Sequence, residues 1–351
     1  MRSFLIYGAN GYTGQLIARE AARRGLRPIV AGRNRPAIER LAKELTLDAR
    51  VFRLDEPHLS AAFEDYAAVL NCAGPFSRTA APLAAACLRV GSHYVDITGE
   101  VAVFEGLMRR NQEAQAAGVM LLPGAGFDVV PSDCLAAHLK RRLPTATKLV
   151  LAFHAGTRPS RGTLLTMLEN LDGRGLVRKN GGLVEVPAGW KTRTIDFGRR
   201  PRKAVTIPWG DLATAHFSTG IPDIEVYAAL PFKERLAIRT SRFLGPVLRQ
   251  GFVRRSLENR IRAATPGPSE AERARSTSFL WGEASDEFGN QATARLRGPD
   301  GYSFTAQAAV TIVERILAGD APPGYQTPST AYGADFVLQI PGVKRSDESG
   351  Q

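Results

Sequence analysis

Residues 4–18, FLIYGANGYTGQLIA, set Gly8, Gly11 and Gly14 between a short apolar run and a stretch with helical spacing. In such a loop the first glycine makes the tight turn out of a strand, and the second lets the backbone approach a pyrophosphate. The third lets the following helix pack close to the sheet. The N–H groups and positive end of that helix then face the phosphates. With 34 glycines in the chain, GxxGxxG alone carries little weight. Its place, directly after the first strand and at the head of the first helix, makes it a dinucleotide loop. Asn10, Tyr12 and Thr13 complete the set expected to touch the cofactor.

Working outward, apolar runs of strand length recur at Phe4–Tyr7, Pro28–Ala31, Arg50–Leu54, Ala68–Asn71, Tyr94–Ile97 and Val119–Leu122, most of them separated by helical stretches. Strand and helix in alternation imply an α/β domain with a doubly wound parallel sheet over residues 1–131. Its ligands belong at the carboxyl ends of the strands. The second strand ends in Gly32 and Arg33, where NAD sites usually carry a carboxylate for the ribose hydroxyls. A guanidinium there fits a 2′-phosphate, so NADP is expected over NAD. Asp55, after the third strand, is a candidate for the adenine side or a helix cap. The fourth strand runs into NCAGPF, so Asn71, Cys72, Ala73 and Gly74 are expected under the ribose and nicotinamide, with Pro75 and Phe76 in the nicotinamide pocket. Two acidic loops follow the fifth and sixth strands, with Asp96, Thr98 and Glu100 in one and Phe127, Asp128, Ser132 and Asp133 in the other. Asp96, Glu100 and Asp128 are the candidates for chemistry, set against the plainer roles of holding turns and capping helices.

The rest of the chain has another texture. A length of 351 residues favours two domains. After the helical PSDCLAAHLKRRLP come short alternating runs (KLVLAFHA, LVEVPAG, KAVTIPW, DIEVYAAL, ATARLRG, YSFTAQAA) broken by Gly and Pro. They imply a mainly antiparallel α+β domain over 132–302, with helices near 162–173 and 232–262. Residues 305–319 read as an amphipathic helix, so 303–343 is expected to return to the first domain, with 344–351 as a disordered tail.

The net charge is +12, and more than half of it lies between Pro231 and Arg262, where nine basic residues face two acidic ones. Apolar residues interleave with them, a pattern that suits an anionic membrane, an acidic acyl carrier or a solvated helix packed on its own domain. No nucleic-acid recognition motif accompanies it. The three cysteines, Cys72, Cys87 and Cys134, sit in apolar patterns with no CxxC spacing and read as reduced core residues. No apolar run approaches a membrane span, so the expected location is the cytoplasm, with any membrane contact peripheral. No tyrosine opens a YxxxK, and HExxH and GxSxG are missing. Of the five histidines, His154 alone is considered for general acid work.

GANGYTG, AGRN, NCAGPF, HYVDITGE and GFDVVPSD, in this order and spacing, resemble the saccharopine dehydrogenase-like oxidoreductases, especially the branch with the trans-acting enoyl reductases. The resemblance covers about the first 135 residues and the segment GYQTPSTAYGADFVLQIPG. It implies a Rossmann domain with an inserted α+β domain and a returning helix, and nicotinamide cofactor contacts at Gly8, Gly11, Gly14 and the NCAG strand end. The expected activity is NADP-dependent hydride transfer to a C=C, C=O or C=N bond of a lipid-like small molecule, in a chain expected to form a homodimer. An opine- or saccharopine-type amino-acid oxidoreductase is the runner-up. A non-catalytic NADP-binding protein at membranes is the rival of another class.

Overall fold

A computed structural model describes residues 3–56, 59–169, 173–198, 200–248 and 251–348; His58, Arg249 and residues 349–351 of the expected tail lie outside them. The chain divides into two compact units, residues 1–130 with 302–332, and residues 131–301 with 333–351.

The first unit is built on β1 (Ser3–Tyr7), β2 (Ile29–Gly32), β3 (Ala49–Val51), β4 (Tyr66–Asn71), β5 (His93–Asp96) and β6 (Met120–Leu122). The second holds β7 (Lys148–His154), β8 (Arg174–Lys179), β9 (Gly182–Pro187), β10 (Thr192–Asp196), β11 (Pro201–Thr206), β12 (Asp223–Ala229), β13 (Thr277–Ser285) and β14 (Gln291–Pro299). The chain then forms the helix Gly301–Leu317, β15 (Gly324–Tyr325) and β16 (Lys344–Glu348).

In the first unit the strands lie in the order β15-β6-β5-β4-β1-β2-β3, all parallel. The chain leaves β1 toward β2 on one side, and β4 flanks β1 on the other. The crevice where the order reverses is therefore at the carboxyl ends of β1 and β4, where this architecture takes its ligands. The interior is continuous apolar surface, with Leu5, Ile6, Val30, Leu70, Val95 and Leu121 inaccessible. The third strand is shorter than its apolar run because Phe52 turns into the core against Tyr7, ring centroids 5.1 Å apart.

The second sheet runs β10-β11-β12-β7-β13-β14-β16, with the β8–β9 hairpin attached to β12. Only β12 and β7 pair in parallel; the other ladders are antiparallel. One face receives the helix Val130–Arg142, so closely that a Cβ on Gly282 would lie 2.7 Å from Leu139. The other face curls on itself. Arg193 of β10 reaches Glu283 of β13 at 2.8 Å and lies over the Trp281 ring, and Arg295 of β14 donates to the Asp196 carbonyl at 2.9 Å. These strands are far apart in the sheet order, so the bridges span a concavity. Ala152, Ile195, Phe197, Ala204, Tyr227 and Trp281 fill it.

Three expectations are corrected. YSFTAQAA is helix, since Phe304, Thr305, Ala308, Ala309, Ile312 and Val313 bury one helical face from Gly301 onward. Residues 344–348 are not a tail: they pair with β14 from Thr293↔Glu348 to Arg297↔Lys344. Residues 333–343 belong with the second unit, where Asp335 binds Arg141 and Arg345, and Phe336, Val337 and Ile340 are buried.

Candidate cofactor and active site

The glycine loop sits where its chemistry requires. Gly8 holds a left-handed φ of 79°, and its N–H donates to the Ala31 carbonyl at 2.8 Å. A Cβ on Gly8 would lie 2.7 Å from the Ala73 nitrogen, so glycine lets the loops after β1 and β4 touch. One on Gly14 would fall 2.5 Å from the Gly8 oxygen; glycine there brings the helix Tyr12–Arg23 against the strand end. Gly11 is the N-cap of that helix and offers no side chain, and the first turn carries no acidic residue. The leading N–H groups of a helix have no intrahelical acceptor, so this cradle of bare backbone under a positive helix end fits a pyrophosphate. Asn10 lies over the end of β2, its Oδ1 only 2.9 Å from where a Gly32 Cβ would be, and its carbonyl accepts from Gln15. Tyr12 meets Tyr302 edge-on at 5.1 Å. Tyr302 escapes a motif-based reading because it lies almost three hundred positions along the chain; its signal is an aromatic at the head of the returning helix.

At the neighbouring strand end, Arg33 is exposed and has no carboxylate partner among the described residues. Its charge reaches the Tyr7 hydroxyl: burial raises that phenol's pKa, and Arg33 is the largest influence opposing the rise. Asp55 is instead paired with Arg53 through two hydrogen bonds of 3.0 and 2.9 Å, with both side chains about two-thirds exposed. Its charge is matched within the loop, which favours the turn role.

The β4 end is held by its own side chains. Asn71 is fully buried; its amide donates to Thr79 Oγ1 at 3.0 Å and Tyr94 Oη at 3.1 Å, and its oxygen accepts the Ala73 N–H at 2.9 Å. Asn71 therefore shapes the loop, with Thr79 closing it from the other side by donating to the Ala73 carbonyl at 2.7 Å. The Cys72 N–H donates to the Tyr7 carbonyl at 2.7 Å, and burial pushes its thiol pKa up, so the sulfur stays protonated. The Gly74–Pro75 peptide is cis. Phe76 belongs to the apolar core and so contributes little of itself to a pocket.

The three acidic candidates differ in setting. Asp96 is wholly enclosed. One oxygen accepts from Tyr94 Oη at 2.8 Å, and the other from the backbone N–H groups of Thr98 at 2.9 Å and Gly124 at 3.0 Å. It clamps the β5 end to the loop after β6 rather than meeting a ligand. Burial dominates its acidity, raising the pKa from 3.8 to about 6 against the pull of those donors. Glu100 accepts the N–H groups of Phe76 at 2.9 Å and Ser77 at 2.8 Å, so its carboxylate caps the helix Phe76–Val90 from another element. Asp128 is only half-enclosed, with Oδ2 3.0 Å from where a Gly99 Cβ would be, and burial pushes its pKa up to about 6. Its loop is pinned to the returning helix, for Phe127 N–H donates to Thr305 Oγ1 at 3.0 Å. In the second unit, Asp133 is buried and accepts from Ser218 at 2.7 Å.

Residues 4–122 match the saccharopine dehydrogenase NADP-binding domain. The human saccharopine dehydrogenase-like oxidoreductase is 28% identical over 181 residues, covering 43% of this chain and 41% of that one. The trans-acting enoyl reductase of Mycobacterium leprae is 32% identical over 148 residues, covering 40% and 35%. The matches thus span about two-fifths or less of these relatives' length. In fold, the apo saccharopine dehydrogenase (L-Glu forming) of Saccharomyces cerevisiae matches 99% of this chain and 100% of its own, with a TM-score of 0.69 at 12% identity. Residues 4–122 thus resemble the saccharopine dehydrogenase NADP-binding domain, and the chain as a whole shares the saccharopine dehydrogenase fold.

Proposed function

We propose that the chain is an NADP-dependent oxidoreductase that moves hydride between the nicotinamide and a C=C, C=O or C=N bond of an apolar, lipid-like substrate. The observation that carries the reading is the glycine cradle at the switch point of a sheet matching an NADP-binding domain. When bound, the nicotinamide supplies the redox chemistry. The backbone of Gly8–Gly14 holds the pyrophosphate, Arg33 takes the 2′-phosphate, and residues 72–74 line the ribose and nicotinamide side. Asn71, Asp96 and Glu100 are positioning residues that fix the loops. Asp128 is the proton-exchanging group: raised to about 6 and partly accessible, its carboxyl titrates close to neutral pH, as general acid–base work requires. A C=C acceptor is supported by the partial likeness to the trans-acting enoyl reductase.

A panel of enoyl thioesters, ketones, and oxo acids with amines, followed by NADPH oxidation, tests this. Turnover of enoyl or keto acyl substrates is expected, with Asp128→Asn lowering kcat and abolishing the limb of the pH–rate profile near 6. Turnover confined to oxo acid plus amine would establish the opine-type reading instead. No binding of NADPH would overturn both.

A second reading concerns the segment 231–262. Phe232, Leu236, Phe243 and Phe252 are 50–73% exposed on the helices Phe232–Leu248 and Gly251–Ala263, among the basic residues of that stretch. No helix among the described residues is long and apolar enough to cross a membrane. Exposed aromatics within basic helices support peripheral contact with an anionic bilayer. Flotation with phosphatidylserine vesicles is expected for the native chain and not for Phe243→Ser/Phe252→Ser.

A further inference from the structure

The second unit contains a groove that the proposed redox chemistry leaves unused. It lies at one mouth of the curled sheet and has a volume of about 520 Å³. Side-chain alternation along β7 puts it on the concave face: His154 shares that face with Ala152 and Phe279, whereas Phe153 meets Trp209, ring centroids 4.7 Å apart and planes tilted by 41°, on the opposite face. Its walls come from three separate pieces of chain: the end of β7 with the following loop, β11, and the helix Glu270–Arg275 continuing into the start of β13.

Its charged groups are mostly of one sign. Arg158, Arg202 and Arg275 line it against a single carboxylate, Glu272. That carboxylate is already engaged, with Arg158 Nε at 3.3 Å and the Ser269 N–H at 2.6 Å. Arg158 is also tied to the Gly267 carbonyl at 2.7 Å and to Thr265, so it builds the rim. Arg202 and Arg275 have no carboxylate partner among the described residues. In the same lining, the Ser276 hydroxyl oxygen is buried with no hydrogen-bond partner, a costly state for a polar atom. Gly156 makes room there, since a Cβ at that position would lie 2.5 Å from Ser276 Oγ. The His154 ring stacks on Phe279 with an interplanar angle of 14°, and its Nδ1 lies 3.2 Å from the Ala229 carbonyl. Donating there leaves Nε2 as the ring's other polar atom.

We propose that this groove binds a compact organic oxyanion, a carboxylate or phosphate carried on an apolar body, with Arg202, Arg275 and the Ser276 hydroxyl on the charged end and His154 with Phe279 along the body. Guanidinium groups bind either oxyanion through paired N–H donors, and an anion would give the Ser276 hydroxyl its missing acceptor. The site uses residues of the second unit alone and is independent of the hydride-transfer reading.

The five histidines make a direct readout possible. Ring carbon–proton NMR signals of the full-length chain are followed during titration with inorganic phosphate, with succinate, and with sodium chloride at matched ionic strength. The His154 signal is identified by its loss in His154→Gln. A saturable movement of that signal with phosphate, succinate or both, and not with chloride, is the expected result; which one acts tells the phosphoryl from the carboxylate source. In Arg202→Gln/Arg275→Gln the apparent Kd should weaken about tenfold or more, and in Arg275→Gln alone about threefold. Arg275 is exposed, so the single variant keeps the fold even where the double does not. A His154 signal that moves no more than with chloride, or an Arg275→Gln protein that titrates like the native one, overturns the proposal.

Discussion

The glycine cradle and the arginine groove are both built to meet anions, and by opposite means. The cradle is seven consecutive residues, Gly8–Gly14, whose fit depends on three glycine positions that no side chain occupies. The groove is made of side chains from four elements spread between His154 and Phe279. A backbone site is local in sequence and intolerant of added atoms; a side-chain site is dispersed and tolerates the loss of one member. Substitution should therefore be steep in the first and graded in the second.

The steepest effect is expected at Gly14. Gly14→Val puts a branched Cβ 2.5 Å from the Gly8 oxygen, so NADPH binding should vanish from a nicotinamide fluorescence titration. Unfolding in urea should show about 3 kcal/mol lost. Native-like binding in that variant would break the contrast.

Asp96→Ala comes next. It strips the acceptor from the Tyr94 hydroxyl and the Thr98 and Gly124 N–H groups, all enclosed, and should cost about 2 kcal/mol in the same urea experiment. Because the folded pKa is raised above the unfolded value, this carboxyl stabilises the native state at low pH. That contribution is lost as pH rises from about 4 to about 6. Stability measured across that window should fall less steeply in Asp96→Asn than in the native chain.

Arg33→Asp sharpens the contrast within the cradle, being the one charged side chain assigned to it. NADPH affinity should fall about tenfold or more while NADH affinity changes little. Equal losses would remove Arg33 from the 2′-phosphate. The smallest effect belongs to Glu100→Gln, which keeps an oxygen acceptor for only one of the Phe76 and Ser77 N–H groups and loses the charge at the helix end, together worth about 1 kcal/mol.

The same contrast explains what could be read from sequence. The parallel sheet was legible because each strand is a buried apolar run punctuated by helical spacing, and the strand ends follow from the topology. The roles of polar residues at those ends were less so. Asn71, Asp96 and Glu100 stand at or just beyond the carboxyl ends of β4 and β5, yet their hydrogen bonds close on the Thr79, Tyr94, Thr98, Gly124, Phe76 and Ser77 groups around them. Composition does not say whether a buried carboxylate serves a ligand or its own loops. In YSFTAQAA, Phe304, Ala306 and Ala308 alternate like a strand while the surrounding residues keep a helical face; the neighbours decide. The arginine groove had no sequence signature, for nothing in Arg158, Arg202 and Arg275 taken separately announces convergence.

The chain passes between its two units at residues 130, 301 and 332, so neither unit is a continuous piece. During synthesis the six strands from β1 to β6 are made early, yet their sheet lacks β15 and the helix from Gly301 until residue 332 has been added. The second sheet acquires its β16 edge only at residue 348. Both cores therefore stand unfinished for most of translation and are completed within about 16 residues of each other, a few seconds at roughly 5–20 residues per second. A ribosome stalled after β14 and before β15 would hold two open sheets at once.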